Sequence, residues 1–370
     1  MKILVLCTSP GLGGLELYAE REWQYLQQTG HECHFVIAGN GRLAQRNRRT
    51  SAHIFHLSRN GKFFPLVNAL KLARYIVRNH IDIVHMHWGK ELNLAALAKR
   101  FSRKLFRHRL KLIYTRHMGI TRSKKDFAHA FFYRQVDMML TISKQVEKEA
   151  RIWLPLAGDQ IRLLYLGVDD KTVAKPDCNG LPEKIKQSQF RIVLFGRIEH
   201  GKGQHVLVEA MAALLANRKL NVSATFVGQV MDNDYFEKLK QSVKKQGLEE
   251  HIAYLDFIDN PMAVMPCFDV VVLLTYCETF GLVLVEAMRA GVAVIGTDAG
   301  GVPEIIEHNK TGLLIPPGDA GTLAHELLKL YDDADLKSRL ARAGKNRADK
   351  EFNSELHFNK LEQLLTAVGE

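Results

Sequence analysis

The chain has 370 residues, 46% of them hydrophobic and 25% charged, with a formal net charge of +11. At roughly 100–200 residues per domain this length predicts two domains, each able to bury a core without disulfides or metals. A bilayer-spanning protein is excluded, because no stretch approaches the roughly 20 apolar residues a spanning helix needs. The apolar run at residues 3–7 is likewise too short for a signal peptide.

Short apolar runs at residues 3–6, 33–37, 81–85, 110–114 and 138–142 alternate with helical patterns such as 15–28 and 66–79. This β-α rhythm predicts a mainly parallel sheet covered by helices on both faces. The rhythm weakens over 171–189, rich in Lys, Pro and Gly, and a linker is placed there. It restarts at 190–195, 222–227, 252–255, 270–274 and 292–295. The expected organisation is therefore a first Rossmann-like domain at 1–170, the linker, and a second at 190–352. Residues 353–370 read as one amphipathic helix, which could close the second domain or pack back on the first. The five cysteines (Cys7, Cys33, Cys178, Cys267, Cys277) show no close pair at metal-ligand spacing and read as reduced thiols in a cytosolic setting.

Three segments carry chemistry. The first strand leads into Ser9-Pro10-Gly11-Leu12-Gly13-Gly14 and then a helix; such glycines let backbone approach a ligand, and free amides at a helix start favour phosphate. The spacing lacks the third glycine of a dinucleotide fingerprint, and a plain strand-to-helix turn also explains it. The second domain opens with a strand followed by Gly196-Arg197 and Lys202, a fork and a point charge suited to a diphosphate. After the run 270–274, Glu278 falls in a loop at a strand's carboxyl end, where open α/β sheets bind ligands. Gly281 then starts a helix carrying Glu286, whose apolar neighbours imply a buried acid in need of a partner.

Together, Glu278-x7-Glu286, Gly196-Arg197 with Lys202, and Gly13-Gly14 resemble the retaining GT-B glycosyltransferases of the GT4 family, the glycosyl transferases group 1. Asp298-Ala299-Gly300-Gly301-Val302-Pro303-Glu304, Gly312-Leu313-Leu314, Asp82-Ile83-Val84-His85-Met86-His87 and Thr115-Arg116-His117 match further family segments in order. The resemblance implies two tandem Rossmann-like domains with an interdomain cleft, and transfer of a sugar from a nucleotide-sugar donor. It gives Arg197 and Lys202 the diphosphate, and Glu286 the ribose. Glu278 would steady the transferred sugar and the charge developing on it. His117 would lie beside the reaction centre, Gly13 and Gly14 would shape its floor, and the Phe280, Gly281 and Leu282 amides, with Gly196, would border the diphosphate. A hexosyltransferase of this kind retains the donor's anomeric configuration and needs neither metal nor cofactor. One departure is Leu166-Gly167-Val168-Asp169, where the family often has Asn at the first position.

The implied donor is UDP- or GDP-linked and the acceptor a glycan or lipid-linked glycan, with cell-surface polysaccharide or lipopolysaccharide synthesis as the setting. From Lys99 to Lys125 there are eleven Lys or Arg residues and no acid. A solvated face explains this stretch, as does a surface for nucleic acid or for an anionic membrane. The enzyme class favours the membrane, so the expected location is cytoplasmic with peripheral attachment to the inner face. A nucleotide-sugar epimerase and a non-catalytic nucleotide or nucleic-acid binding module are the rival readings. Asp232-Asn233-Asp234 has a metal-binding D-x-D pattern, but acids at a helix start suit the dipole equally. Asp333-Ala334-Asp335 reads as a helix cap. His85 and His87 alternate along a strand, one expected toward the ligand and the other in the core.

Overall fold

A computed structural model describes residues 1–48, 53–58, 65–169, 176–216 and 218–369. The chain forms two units, Met1–Tyr165 with Glu355–Glu370, and Leu166–Ser354. In unit 1 the strands are β1 (Lys2–Cys7), β2 (Glu32–Ala38), β3 (Ile54–Leu57), β4 (Ile83–Met86), β5 (Lys111–Arg116), β6 (Met138–Thr141) and β7 (Ile161–Leu163). They pair in parallel in the order β3-β2-β1-β4-β5-β6-β7.

Unit 2 repeats the plan with β8 (Phe190–Phe195), β9 (Val222–Val227), β10 (Ile252–Leu255), β11 (Val270–Leu273), β12 (Ala293–Thr297) and β13 (Leu313–Ile315). Its order is β10-β9-β8-β11-β12-β13, again parallel. Strands such as β1, β9 and β11 are almost wholly buried. That follows from their continuous apolar runs, since a parallel sheet covered on both faces has no solvent side for alternate polar residues. In both sheets the order reverses beside the first strand, between β1 and β4 and between β8 and β11. Loops at such reversals splay apart and leave a crevice above the sheet.

The expected linker falls within unit 2, which starts at Leu166: 171–175 lie outside the described residues, and 176–189 run mostly exposed over that unit. Ile185 is fully buried there, and Cys178 forms a disulfide with Cys267, Cα to Cα 5.8 Å. The reduced-thiol reading is thus corrected for this pair. Its members lie 89 residues apart, a separation with no sequence signature, and only the fold brings them together. Cys7 and Cys33 are free and buried, and Cys277 is free and exposed. The last helix, Ser354–Gly369, belongs from Glu355 onward to unit 1, where Phe358 stacks on Tyr25 and His357 packs edge-on to Tyr18. No helix among the described residues is long and apolar enough to cross a membrane.

Candidate active site

In unit 2 the loops following β8 and β11 flank the sheet's reversal and carry most of the expected donor residues. Arg197 is largely exposed and pairs with Glu199 at 2.8 Å; Lys202 Nζ donates to Glu278 Oε2 at 3.1 Å. The loop is braced from below by buried Gln204, whose amide donates to the Arg197 carbonyl at 2.9 Å, and by Thr275 Oγ1 on the Gly201 carbonyl at 3.1 Å. Gly203 turns with φ 72°, and a Cβ there would stand 2.2 Å from the Leu274 carbonyl oxygen. Only glycine permits so close an approach of the Lys202 loop to the end of β11.

Glu278 is fixed in the same way. The Gly301 amide donates to the Glu278 carbonyl at 2.9 Å, and a Cβ on Gly300, at φ 59°, would lie 1.9 Å from that oxygen. The Gly300-Gly301 pair therefore sets the height of the Glu278 backbone. Gly281 caps the helix Leu282–Arg289, whose start presents the positive end of its dipole. Phe280 is buried edge-on to Phe352, so its side chain anchors this turn while its backbone borders the loop. Glu286, in the second turn, is half-buried rather than enclosed as its apolar neighbours suggested. Arg197, Lys202 and Glu278 are thus gathered by the fold, with Gly196, Phe280, Gly281, Leu282 and Glu286 on the elements that carry them.

In unit 1 the corresponding loops hold Gly13, Gly14 and His117. Gly13 caps the helix Gly14–Gln28, yet its amide is not open to a phosphate. It donates to Glu16 Oε2 at 2.8 Å, while Ser9 Oγ donates to Glu16 Oε1. The cap amide is therefore not free: the third helical residue is an acid, and its carboxylate folds back on the cap. A second buried acid, Glu91, accepts the Thr8 amide and, at 3.2 Å, the Trp88 amide. Burial raises the Glu91 carboxyl to about 7.

His117 is buried at the end of β5, with Nε2 3.2 Å from His87 Nδ1 and its ring edge-on to Tyr18. Burial, reinforced by His87 and His85, holds its imidazole well below the usual histidine range and keeps it neutral. His85 and His87 are both buried and both meet Glu22 of the first helix. The expectation that one turns each way is corrected, since residues two apart on a strand share a face. His357 reaches the same region from the last helix, its Nε2 2.8 Å from the Tyr18 hydroxyl, and burial pushes it down to about 4.

Glu16, Glu22 and Glu91 are the residues that sequence reasoning missed. Glu16 had a signal, an acid at capping-box spacing from Gly13; Glu22 and Glu91 had none. Asp232 caps the helix Asn233–Lys245 by accepting the Tyr235 amide, and Asp333 caps Ala334–Glu351 by accepting the Leu336 amide, as helix-start acids should.

Known proteins share this architecture. The family model described as "Glycosyl transferases group 1" matches residues 182–347, and that described as "Glycosyltransferase Family 4" matches 12–172. The chain is 26% identical to an N-acetyl-alpha-D-glucosaminyl L-malate synthase from Bacillus anthracis, covering 98% of this chain and 96% of that protein. It is 25% identical to the capsular polysaccharide biosynthesis glycosyltransferase CapM from Staphylococcus aureus, over 92% and 91% of the two chains. The crystal structure of Anabaena Alr3699/HepE in complex with UDP-glucose superposes with a TM-score of 0.82 at 23% identity, covering 99% of this chain and 100% of that one. Two parallel Rossmann-like units, each matched by its own glycosyltransferase family model, place this chain among the GT4-type glycosyltransferases of GT-B fold.

Proposed function

We propose that this glycosyltransferase is a retaining, metal-independent hexosyltransferase that takes a UDP- or GDP-linked sugar and delivers it to a glycan or lipid-linked acceptor. The observation that carries the reading is the Lys202–Glu278 pair at the reversal of the second sheet, with Arg197 beside it. A donor diphosphate satisfies both cations, and its sugar then takes up Glu278, whose charge acts where positive charge develops on the anomeric carbon. In a front-face reaction the departing phosphate accepts the acceptor hydroxyl's proton, so no dedicated base is needed. His117 of unit 1 would contact the sugar, and Glu286 the ribose. The relatives point the same way: one acts in capsule synthesis, and one fold neighbour holds UDP-glucose.

Melting temperature against a panel of UDP, GDP, ADP, CMP and their sugar conjugates tests the donor site. A ligand at about 100 times its Kd adds roughly 2.7 kcal/mol and raises Tm by several degrees. A selective shift that disappears in Lys202→Ala supports the reading; no shift with any nucleotide overturns it.

The acceptor's setting rests on the basic stretch of unit 1. Lys99 is spoken for by Asp137 and the Gln135 carbonyl, and Arg116 by Tyr114, Met118 and Gly119. Of the others, Arg103, Lys104 and Arg107 are exposed at the end of the helix Leu92–Phe106, beside exposed Leu105 and Phe106. Lys124 lies next to exposed Trp153, donating its amide to the Trp153 carbonyl at 2.8 Å. Cations interleaved with exposed apolar residues suit an anionic bilayer surface, consistent with a cytoplasmic enzyme acting on lipopolysaccharide or a related lipid-linked glycan. Sedimentation with anionic vesicles should be lost when Arg103, Lys104 and Arg107 become Ser; unchanged binding removes this surface from the proposal.

A further inference from the structure

Glu22, His85 and His87 form a cluster that transfer chemistry does not use. Each side chain is fully enclosed, and one ligand atom from each lies within 4.8 Å of the others. Two of these atoms, Glu22 Oε2 and His87 Nε2, form an ion pair out of reach of solvent without the geometry of a full hydrogen bond. They face one another at 3.3 Å. Poorly aligned buried polar atoms are costly, and a cation between this acid and imidazole would satisfy both. Two ligands held at about 2.0–2.1 Å from a tetrahedral ion stand roughly 3.3 Å apart, which is the spacing seen.

The surroundings fit as well. A histidine that binds metal through one ring nitrogen presents the other to a fixed partner. His85 Nε2 lies 2.7 Å from Thr115 Oγ1, and His87 Nδ1 lies 3.2 Å from His117 Nε2. The third ligand atom, His85 Nδ1, hydrogen-bonds Glu22 Oε1 at 2.6 Å. On binding, His85 would move its proton to Nε2 and donate to Thr115, freeing Nδ1 for the ion; no proton need leave the site. Two imidazoles and one carboxylate favour a zinc-type ion over magnesium or calcium.

We propose that Glu22, His85 and His87 bind a single Zn2+ in the core of unit 1, tying the helix Gly14–Gln28 to the end of β4. Its role is to hold the wall on which His117 rests, a structural duty compatible with a metal-independent transfer step.

Zinc content and stability test this without reference to activity. Wild-type protein stripped with dipicolinate, incubated with ZnCl2 and desalted should retain about one zinc per chain. Saturating zinc should raise its Tm by about 5–10 °C over the stripped form. Folded Glu22→Gln protein, checked by circular dichroism, should lose both effects. Equal zinc retention in the two proteins, or no retention and no Tm shift in wild type, overturns the proposal. If Glu22→Gln does not fold, Co2+ titration of the stripped wild type decides. Visible absorption bands of a tetrahedral N/O site saturating at one equivalent support it, and their absence overturns it.

Discussion

The two units place their loops on the same topology but fill them with opposite charge. Beside the reversal of the second sheet stand Arg197 and Lys202; beside that of the first stand the carboxylate of Glu16 and the buried acid Glu91. Both sheets end in glycine-bearing turns leading toward helices, so backbone geometry alone would offer an anion site twice. In unit 1 Glu16 takes up the Gly13 amide and adds negative charge beneath the turn, which makes it a poorer place for an anion. The lesson is that a Rossmann-like scaffold supplies the crevice, and a few side chains under the loop decide which partner enters it. Under the proposed function, the diphosphate would go to unit 2 and the loop of unit 1 would suit a neutral, hydroxyl-bearing partner.

The sharpest way to break this contrast is at Lys202. Lys202→Ala should lower kcat/KM by about 10²–10³ with the fold intact, because a preorganised charge on the leaving diphosphate is lost. Glu278→Gln should act mainly on kcat, leaving donor KM within about threefold, since its charge matters most in the transition state. Steady-state kinetics with a saturating acceptor separates the two, and near-wild-type turnover in Lys202→Ala would erase the distinction between the units.

A smaller effect concerns the buried acid of unit 1. Because burial raises Glu91 to about 7 from an ordinary 4.5, the folded form holds its proton over a range where the unfolded chain has lost it. The associated stability is complete below about pH 4.5 and declines as pH rises through about 7, by about 3 kcal/mol in all. Urea denaturation across this window should show that slope in wild type and a flatter one in Glu91→Gln. Smallest is the cap: Glu16→Ala should cost about 1 kcal/mol of stability and leave the Gly13 amide open to anions. Added phosphate should then stabilise the variant more than wild type, and an equal response would show that Glu16 does not guard the turn.

Much of the architecture was legible because a parallel sheet buried on both faces writes itself as continuous apolar runs. The bounds of β8, β9 and β10 coincide with such runs. The strands that escaped notice as runs, β3, β7 and β13, are three or four residues long and lie at sheet edges. Three or four residues are too few for an apolar run to stand out from its surroundings. The site divides along the same line. Arg197, Lys202, Glu278 and Glu286 stand near their glycines in sequence, so their loops could be recognised. Glu22 comes from a helix and meets His85 across 63 positions, and Cys178 meets Cys267 across 89. Such meetings depend on tertiary packing that leaves no local trace. Glu91 is similar: an acid beside a helix start looks like any exposed acid until Thr8 folds over it.

The path of the chain itself has a practical consequence. Unit 2 leaves and re-enters its partner through two adjacent strands of backbone: the Val168 amide meets the Phe352 carbonyl at 2.9 Å, and the Ser354 amide returns to the Val168 carbonyl at 3.0 Å. Within unit 1, Tyr165 and His357 are likewise joined, at 2.6 Å. Each unit thus closes on itself at the crossing, and the second is a cassette inserted into a loop of the first. Recombination that respects both junctions together can exchange one such cassette for another, and a graft cut at only one of them strands the last helix on the wrong body.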